Sequence, residues 1–216
     1  MEKVIGIGAG GHAKVVIDIL RLSNSYEVFA LLDIQQELWG TDVLGVPVVG
    51  DDSRLGALWE EGLRYAFIGV GHVGNALPRR HAFGTAKAKG FQVVRAVHPQ
   101  STVASSVDIG EGPTVMAGAV INAAARLGDD VIVNSGAIVE HDCVIGDHAH
   151  VATGSRLASS VHVGEGTLVG VGASVRQLVH IGRNAIVGAG AAVVEDVPED
   201  VVVAGVPARI LRRIER

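Results

Sequence analysis

The chain has 216 residues, of which 48% are hydrophobic and 19% charged, a composition that excludes a disordered or fibrous protein. Its 18 basic and 23 acidic side chains leave a formal charge of −5, so we expect neither nucleic acid nor a membrane as a partner. The single cysteine, Cys143, excludes an internal disulfide, and no apolar stretch reaches the roughly 20 residues that span a bilayer. Without a signal-peptide pattern at the start, the chain is expected to be cytoplasmic and to bind small molecules and copies of itself.

The first 96 residues alternate between strand and helix patterns, which predicts an α/β domain of Rossmann-like βαβ type with a parallel sheet. Predicted strands cover 3–8, 26–33, 46–49, 65–70 and 91–97, and predicted helices cover 12–22, 53–61 and 78–89. We therefore place a first domain at residues 1–96.

A glycine-rich segment, IGIGAGGH, lies at the first strand-to-helix turn, where free backbone N–H groups favour an anion. Gly6, Gly8 and Gly11 match the G-x-G-x-x-G spacing, and Asp33 ends the second strand as a ribose-binding carboxylate would. The domain is about half of a dinucleotide fold, so a nucleotide sugar fits better than NAD. A tight turn without a ligand is the remaining alternative. Gly71 and His72 follow a later strand at the same end of the sheet and either complete this pocket or lie in solvent.

From Val97 the sequence divides into seventeen consecutive hexads without an insertion. Every first position is Val, Ile or Leu, and every fifth position is Val or a small residue. A period of six fits a chain that turns a corner every six residues and stacks every third hexad, which predicts a left-handed parallel β-helix of triangular section over residues 97–198. Residues 199–216 are predicted to cap its end as a short basic helix or strand.

The hexads VEHDCV and IGDHAH concentrate chemistry in an otherwise bland repeat, with Glu140, His141, Asp142, His148 and His150 within eleven residues. His141 occupies a third position beside a corner, where Asp142 can hold one imidazole nitrogen and leave the other to accept a proton. Such a base suits acyl transfer from a thioester. The alternative that the spacing leaves open is a solvated surface histidine without a catalytic role. A zinc site is a weaker alternative that would need ligands from two subunits.

Cys143 and the pair His162 and His180 are predicted to have structural rather than catalytic roles. Cys143 occupies an inward fifth position, which is typical of core filling rather than of a nucleophile. His162 and His180 are 18 residues apart, so we expect them to stack on neighbouring coils as a surface column.

Over its whole length the chain resembles the sugar O- and N-acyltransferases related to sialic acid O-acetyltransferase and to nucleotide-aminosugar N-acetyltransferases of the bacillosamine and perosamine type. The resemblance depends on GAGGHAKVV, NSGAIVEHDCVIGDHAHVATG and VVAGVPAR. It implies a homotrimer that binds acetyl-CoA between adjacent β-helices and the nucleotide of its substrate in the first domain.

The resemblance also implies roles for individual residues. It makes His141 the general base, with Asp142 as the acidic partner that polarises it. The residues near acetyl-CoA would be Asn134, His150, Val171 and Ala189, and Arg209 is a further candidate for a CoA phosphate because of its charge and place. The nucleotide-sugar pocket would contain Gly8, Gly10, Gly11, His12, Asp33, Gly71 and His72. Some relatives carry a second acidic residue after the aspartate, where this chain has Ile34.

The leading functional hypothesis is acetyl-CoA-dependent N-acetylation of the 4-amino group of a UDP- or GDP-linked sugar, without a metal. The nearest alternative is O-acetylation of sialic acid or a related sugar by the same residues. A non-catalytic nucleotide-binding scaffold and a zinc-dependent lyase are alternatives from other classes.

Overall fold

The structure, a computed structural model, describes residues 1–215 and forms two compact units. One contains Met1–Gly71 and Leu77–Pro99, and the other contains His72–Ala76 and the chain from Gln100 onward. None of the described helices is long and apolar enough to cross a membrane.

The first unit is built on a parallel four-stranded sheet in the order β2–β1–β5–β6. Its strands and helices follow the chain as β1 (Glu2–Ile7), α1 (Gly11–Ser23), β2 (Tyr26–Leu32), β3 (Asp42–Val43), β4 (Val46–Pro47), α2 (Leu55–Glu60), β5 (Tyr65–Ile68), α3 (Leu77–Ala88), β6 (Gln92–Val93) and β7 (Ala96–Val97). Short 3₁₀ helices occupy Gln36–Leu38 and Asp52–Arg54. The predicted α/β domain with a parallel sheet is confirmed.

The sheet of the first unit is covered by apolar helix faces. Helix α1 is amphipathic: Ala13, Val16, Ile17 and Leu20 are buried, whereas most of the exposed side chains are charged. Asn24 ends α1 in the left-handed conformation, and its backbone N–H donates to Arg21 O.

Several predicted elements of this unit differ from the structure. The predicted strand 46–49 is reduced to β4, which pairs antiparallel with the unpredicted β3. The predicted helix 53–61 begins at Leu55, because Asp51 caps the chain through the Ser53 N–H and the first turn is a 3₁₀ helix. The predicted strand 91–97 is split into β6 and β7; of these two, β6 pairs with β5 in the four-stranded sheet, and the Val94 N–H after it still donates to Ala66 O.

The second unit contains the predicted left-handed β-helix, in which three parallel sheets form three faces. The first face consists of Thr114–Val115, Ile132–Val133, His150–Val151, Leu168–Val169 and Ile186–Val187 and continues into Val201–Ala204 and Arg209–Arg213. The second face consists of Thr102–Val103, Val120–Ile121, Ile138–Val139, Arg156–Leu157, Ser174–Val175 and Ala192–Val193. The third face consists of Asp108–Ile109, Arg126–Leu127, Val144–Ile145, His162–Val163 and His180–Ile181.

From coil to coil each strand pairs with the strand eighteen residues later, and only the last pairing of the first face, Ile186–Val187 with Val201–Ala204, has a step of sixteen. Every coil adds one ladder step of about 4.8 Å to each face. First-position side chains point inward and are buried from Val115 onward, as are the fifth positions from Pro113 onward. Burying each such aliphatic side chain contributes about 1.5–3 kcal/mol. This burial explains why the hexad pattern is so strict in the sequence.

The turns between faces define three edges of the β-helix. We call the turns from first to second face the first edge, those from second to third face the second edge, and those from third to first face the third edge. From Gly112 to Gly190 the fourth hexad position adopts the left-handed conformation at all three edges, for example at Gly136 (φ 65°), Asp142 (φ 59°) and His148 (φ 57°). Such corners favour Gly, Asn and Asp, which explains the turn residues that the repeat contains.

The end of the β-helix is formed by the hairpin between Val201–Ala204 and Arg209–Arg213, which pair antiparallel. Of the two forms that the sequence allowed for this basic tail, the structure has the strand. Arg216 lies outside the described residues.

Candidate active site

The glycine-rich turn joins β1 to α1, and its glycines have two different structural roles. Gly8 has a φ of 101°, and a Cβ there would lie 2.8 Å from the Gly69 carbonyl carbon, so packing and conformation both require glycine. A Cβ on Gly10 or Gly11 would meet nothing within 4 Å. Neither glycine is required by neighbouring atoms, and the first turn of α1 has neither a side-chain cap nor an acidic residue. The turn therefore leaves backbone N–H groups open to an anion.

His12 follows this turn and is held by Arg79, a fully buried residue on α3. The Arg79 guanidinium donates to Val70 O at 2.6 Å, to Ile68 O at 3.2 Å and to His12 Nε2 at 3.2 Å. Because arginine can only donate, His12 Nε2 is the acceptor, which assigns its proton to Nδ1. Sequence reasoning missed Arg79.

Asp33 links the glycine-rich turn to the loop after β2. Its Oδ2 accepts the Ala9 N–H at 2.7 Å, and its Oδ1 accepts the Gln35 N–H at 2.9 Å. The residue lines a cavity of about 230 Å³ at the carboxyl ends of β1 and β2, together with Gly8, Asp52 and His81. This is the end of a parallel sheet at which such folds bind ligands. Ribose binding by Asp33 stays a prediction.

The predicted base, His141, lies on the second edge and is paired with Asp142. Nδ1 of His141 and Oδ2 of Asp142 are 2.7 Å apart, and the two side chains are 55% and 59% exposed. A carboxylate only accepts hydrogen bonds, so the imidazole proton resides on Nδ1 and Nε2 is left with a lone pair. The pair can therefore accept a proton at Nε2 while the carboxylate holds the ring.

The other polar residues of these two hexads are dispersed around the coil. His148 lies on the third edge, where its Nδ1 is 3.0 Å from Oδ2 of the fully buried Asp130. His150 lies on the first face and is 7% exposed. The close spacing in sequence does not bring His148 and His150 to the edge that carries His141.

His150 belongs to a hydrogen-bond network that includes the segment His72–Ala76. Its Nδ1–H donates to His72 O at 2.6 Å, and its Nε2 accepts from Asn134 Nδ2 at 3.0 Å. The Gly74 N–H donates to His72 Nδ1, so His72 Nε2–H donates to Gly166 O at 3.0 Å. These bonds assign a neutral tautomer to both histidines. His72 is 1% exposed, and its contact with a nucleotide, like that of Gly71, stays a prediction.

The residues predicted to contact acetyl-CoA lie together at one side of the β-helix. Asn134, Val171 and Ala189 occupy the first edge, and Val171 is 55% exposed. The backbone N–H of Ala208, next to Arg209, donates to Ala192 O in the last coil of the second face. The cofactor contacts of these residues stay predictions.

The remaining histidines and the cysteine have structural environments. His162 and His180 stack on the third face with ring centroids 4.5 Å apart, as their spacing predicts. Cys143 is fully buried, and burial raises the pKa of its thiol to about 11. Within residues 1–215 no group of three or more His, Cys, Asp or Glu side chains is placed to hold a metal ion.

Two protein-family descriptions match the chain. Residues 3–83 match the PglD N-terminal domain, and residues 124–159 match the bacterial transferase hexapeptide, six repeats. No curated protein matches the chain significantly.

Solved structures match the chain over nearly its whole length. PerB from Caulobacter crescentus, in complex with CoA and GDP-perosamine, is 45% identical with a TM-score of 0.90, and the match covers 98% of both chains. A histidine-to-asparagine variant of perosamine N-acetyltransferase from the same organism, with the same two ligands, is 44% identical over 98% of both chains with a TM-score of 0.91. The acetyltransferase domain of PglB from Neisseria gonorrhoeae, in complex with acetyl coenzyme A, is 37% identical, covers 97% of this chain and 99% of that one, and has a TM-score of 0.88. The chain therefore belongs to the hexapeptide-repeat sugar acyltransferases, the family that the sequence indicated.

Proposed function

We propose that this chain transfers the acetyl group of acetyl-CoA to the 4-amino group of a UDP- or GDP-linked amino sugar, with His141 as general base. The observation that carries the proposal is the exposed His141–Asp142 pair, whose 2.7 Å hydrogen bond leaves Nε2 as a proton acceptor. Amine rather than hydroxyl acceptance is supported by the likeness to perosamine N-acetyltransferase over 98% of the chain.

The reaction needs a nucleophile, a base and a leaving group. The neutral amine attacks the thioester carbonyl carbon and forms the C–N bond, and the proton released from nitrogen moves to His141 Nε2. The tetrahedral intermediate then breaks its C–S bond, and the departing CoA thiolate takes the proton from the imidazolium. Asp142 stabilises the imidazolium while it exists.

The positions of the candidate residues support a homotrimer. His141 lies on the second edge, whereas Asn134, Val171 and Ala189 lie on the first edge of the same chain. One thioester can reach both sets if the second edge of one copy faces the first edge of another. A ring of three copies closes with this contact repeated at each of its three interfaces.

The proposed activity is tested by incubating the protein with acetyl-CoA and a panel of UDP- and GDP-linked 4-amino sugars and following acetyl gain by mass spectrometry. His141→Ala is expected to lower the rate by roughly 100-fold or more. His162→Ala removes another exposed histidine and is expected to keep the rate. Transfer that survives in His141→Ala, or transfer only to hydroxyl acceptors such as sialic acid, would contradict the proposal.

The shared site is tested by mixing two inactive variants. His141→Ala removes the base from the second edge, and Ala189→Trp blocks the first edge. In an oligomer that contains both variants, His141 of an Ala189→Trp chain can face the intact first edge of a His141→Ala chain. Co-expression is therefore expected to restore activity. If each site lay within one chain, no mixed oligomer would be active.

A further inference from the structure

The cavity beside the glycine-rich turn contains a second carboxylate that the proposed reaction does not use. Asp52 lines this cavity of about 230 Å³ with Asp33 and His81. Cavities that hold whole drug-sized ligands usually measure about 300–1,000 Å³, so this one suits a single planar nucleobase better than an entire nucleotide. Its apolar lining includes Ile7, Leu32, Ile34, Val70, Pro78 and Ala82, which can pack against the two faces of a nucleobase.

The three carboxylates near this cavity have different surroundings. Both oxygens of Asp33 accept backbone N–H groups, and Asp51 accepts the Ser53 N–H as a helix cap. Within residues 1–215 the half-buried Asp52 carboxylate accepts no hydrogen bond. Burial raises its pKa, the charges of Asp51 and Asp33 act in the same direction, and only His81 opposes them. Hydrogen-bond donors from a ligand would therefore stabilise this carboxylate.

The donor pattern of the nucleobases decides which one fits a carboxylate. Guanine presents two adjacent donors, N1–H and the 2-amino group, which match the two acceptor oxygens. Uracil presents one N–H between two carbonyl oxygens, which would face the carboxylate oxygens and repel them. A site built around a polar partner rejects an analogue that lacks the matching group, because its own group is then left unpaired.

We propose that Asp52 selects guanine over uracil by accepting the N1–H and 2-amino donors of the base. The proposal rests on the proposed function, in that it takes this cavity to be the one that binds the nucleotide of the sugar substrate. It narrows the substrate class from UDP- or GDP-linked sugars to GDP-linked sugars.

The test measures binding of GDP, IDP and UDP to the whole protein by calorimetry. Because IDP lacks only the 2-amino group of GDP, the wild type is expected to bind IDP about tenfold more weakly, the loss of one charge-assisted hydrogen bond. UDP is expected to bind more weakly still.

A variant provides a readout that a structural role would not move. Asp52→Asn replaces one acceptor by a donor, a pattern that suits uracil and opposes guanine. It is expected to remove the preference for GDP over IDP and to raise the affinity for UDP relative to GDP. The matched control is Asp51→Asn, since asparagine also caps helices and the neighbouring residue lies outside the cavity lining.

Several results would overturn this assignment. Equal binding of GDP and IDP by the wild type would do so without any variant, as would a failure to bind either nucleotide. Equal weakening of all three nucleotides in Asp52→Asn would place the carboxylate on the ribose or diphosphate, which they share. Acetyl transfer is measured in a separate assay, the one that compares the wild type with His141→Ala. Acetyl transfer without discrimination between nucleobases would contradict only the Asp52 assignment. Discrimination between nucleobases without acetyl transfer would contradict only the proposed reaction.

Discussion

Replacing Asp142 by asparagine tests how much its charge contributes to the proposed base. The amide oxygen can still accept the Nδ1–H of His141, so the tautomer is kept, and asparagine tolerates the left-handed backbone at φ 59°. The substitution therefore removes the negative charge and leaves the geometry. Only stabilisation of the imidazolium that forms during transfer should be lost.

The size of that loss follows from the position of the pair. At about 4 Å between charge centres, the attraction is about 1 kcal/mol in water and about 4 kcal/mol at an effective dielectric of 20. Since the two side chains are 55% and 59% exposed, we expect a value near the lower end, about 1–2 kcal/mol. This corresponds to a decrease in kcat of roughly 5- to 30-fold.

The assay is initial-rate release of free CoA, followed with a thiol reagent at saturating substrates. Ser160→Asn is the matched control, because Ser160 has the same left-handed corner (φ 56°) one coil later, and it is expected to keep wild-type activity. A kcat of Asp142→Asn within twofold of wild type would refute the electrostatic reasoning. A loss as large as that of His141→Ala would refute it too, since the charge alone cannot supply that difference.

Three further predictions concern stability and reactivity. Gly8→Ala should lower the free energy of unfolding by about 1–3 kcal/mol, because Gly8 has a φ of 101° and an added Cβ would lie 2.8 Å from a backbone atom. Gly11→Ala should leave the free energy of unfolding unchanged or raise it by about 0.5 kcal/mol, and should weaken nucleotide-sugar binding. Chemical denaturation measures the stability and calorimetry the binding, and equal destabilisation by the two substitutions would contradict the distinction. Because burial raises the pKa of Cys143 to about 11, the thiol should resist alkylation at pH 8 until the protein is denatured, and Cys143→Ala should keep activity. Mass spectrometry measures the alkylation, and rapid labelling of the native protein would contradict the buried placement. Leu178→Gly should raise the free energy of unfolding by about 1 kcal/mol, because Leu178 has a φ of 64°, whereas Gln177→Gly should lower the free energy of unfolding. Chemical denaturation that shows both variants to be less stable than the wild type would mean that the corner at Leu178 is not strained.

The β-helix could be predicted because its physical requirements repeat in every hexad. Each first position enters the core and each fifth position closes a wall, so the pattern from Val97 is both regular and long. The first unit was predicted at the level of its strands and helices. Several of its boundaries differ from the prediction, since the Asp51 cap and the division of 91–97 into two strands depend on local hydrogen bonds that periodicity does not report.

The candidate site could be predicted only where chemistry lies within one turn. His141 and Asp142 are adjacent, so their pairing follows from the sequence and is present in the structure. Arg79 was missed because its contact with His12 joins residues 67 positions apart. Asp52 was missed for a related reason, since only folding brings the loop after β4 beside the carboxyl end of β2.

The left-handed corners have a consequence for how such an enzyme can change. The coil imposes the left-handed backbone at residue 142, and aspartate tolerates this conformation well. Asp142 therefore suits the stability of the corner, while its carboxylate can also pair with His141. Shifting a reactive pair by eighteen residues would translate it along its edge by about 4.8 Å without altering its orientation. Acyl donors of different length could therefore be accommodated by placing the general base one or more coils away, which changes its position along the edge by multiples of about 4.8 Å.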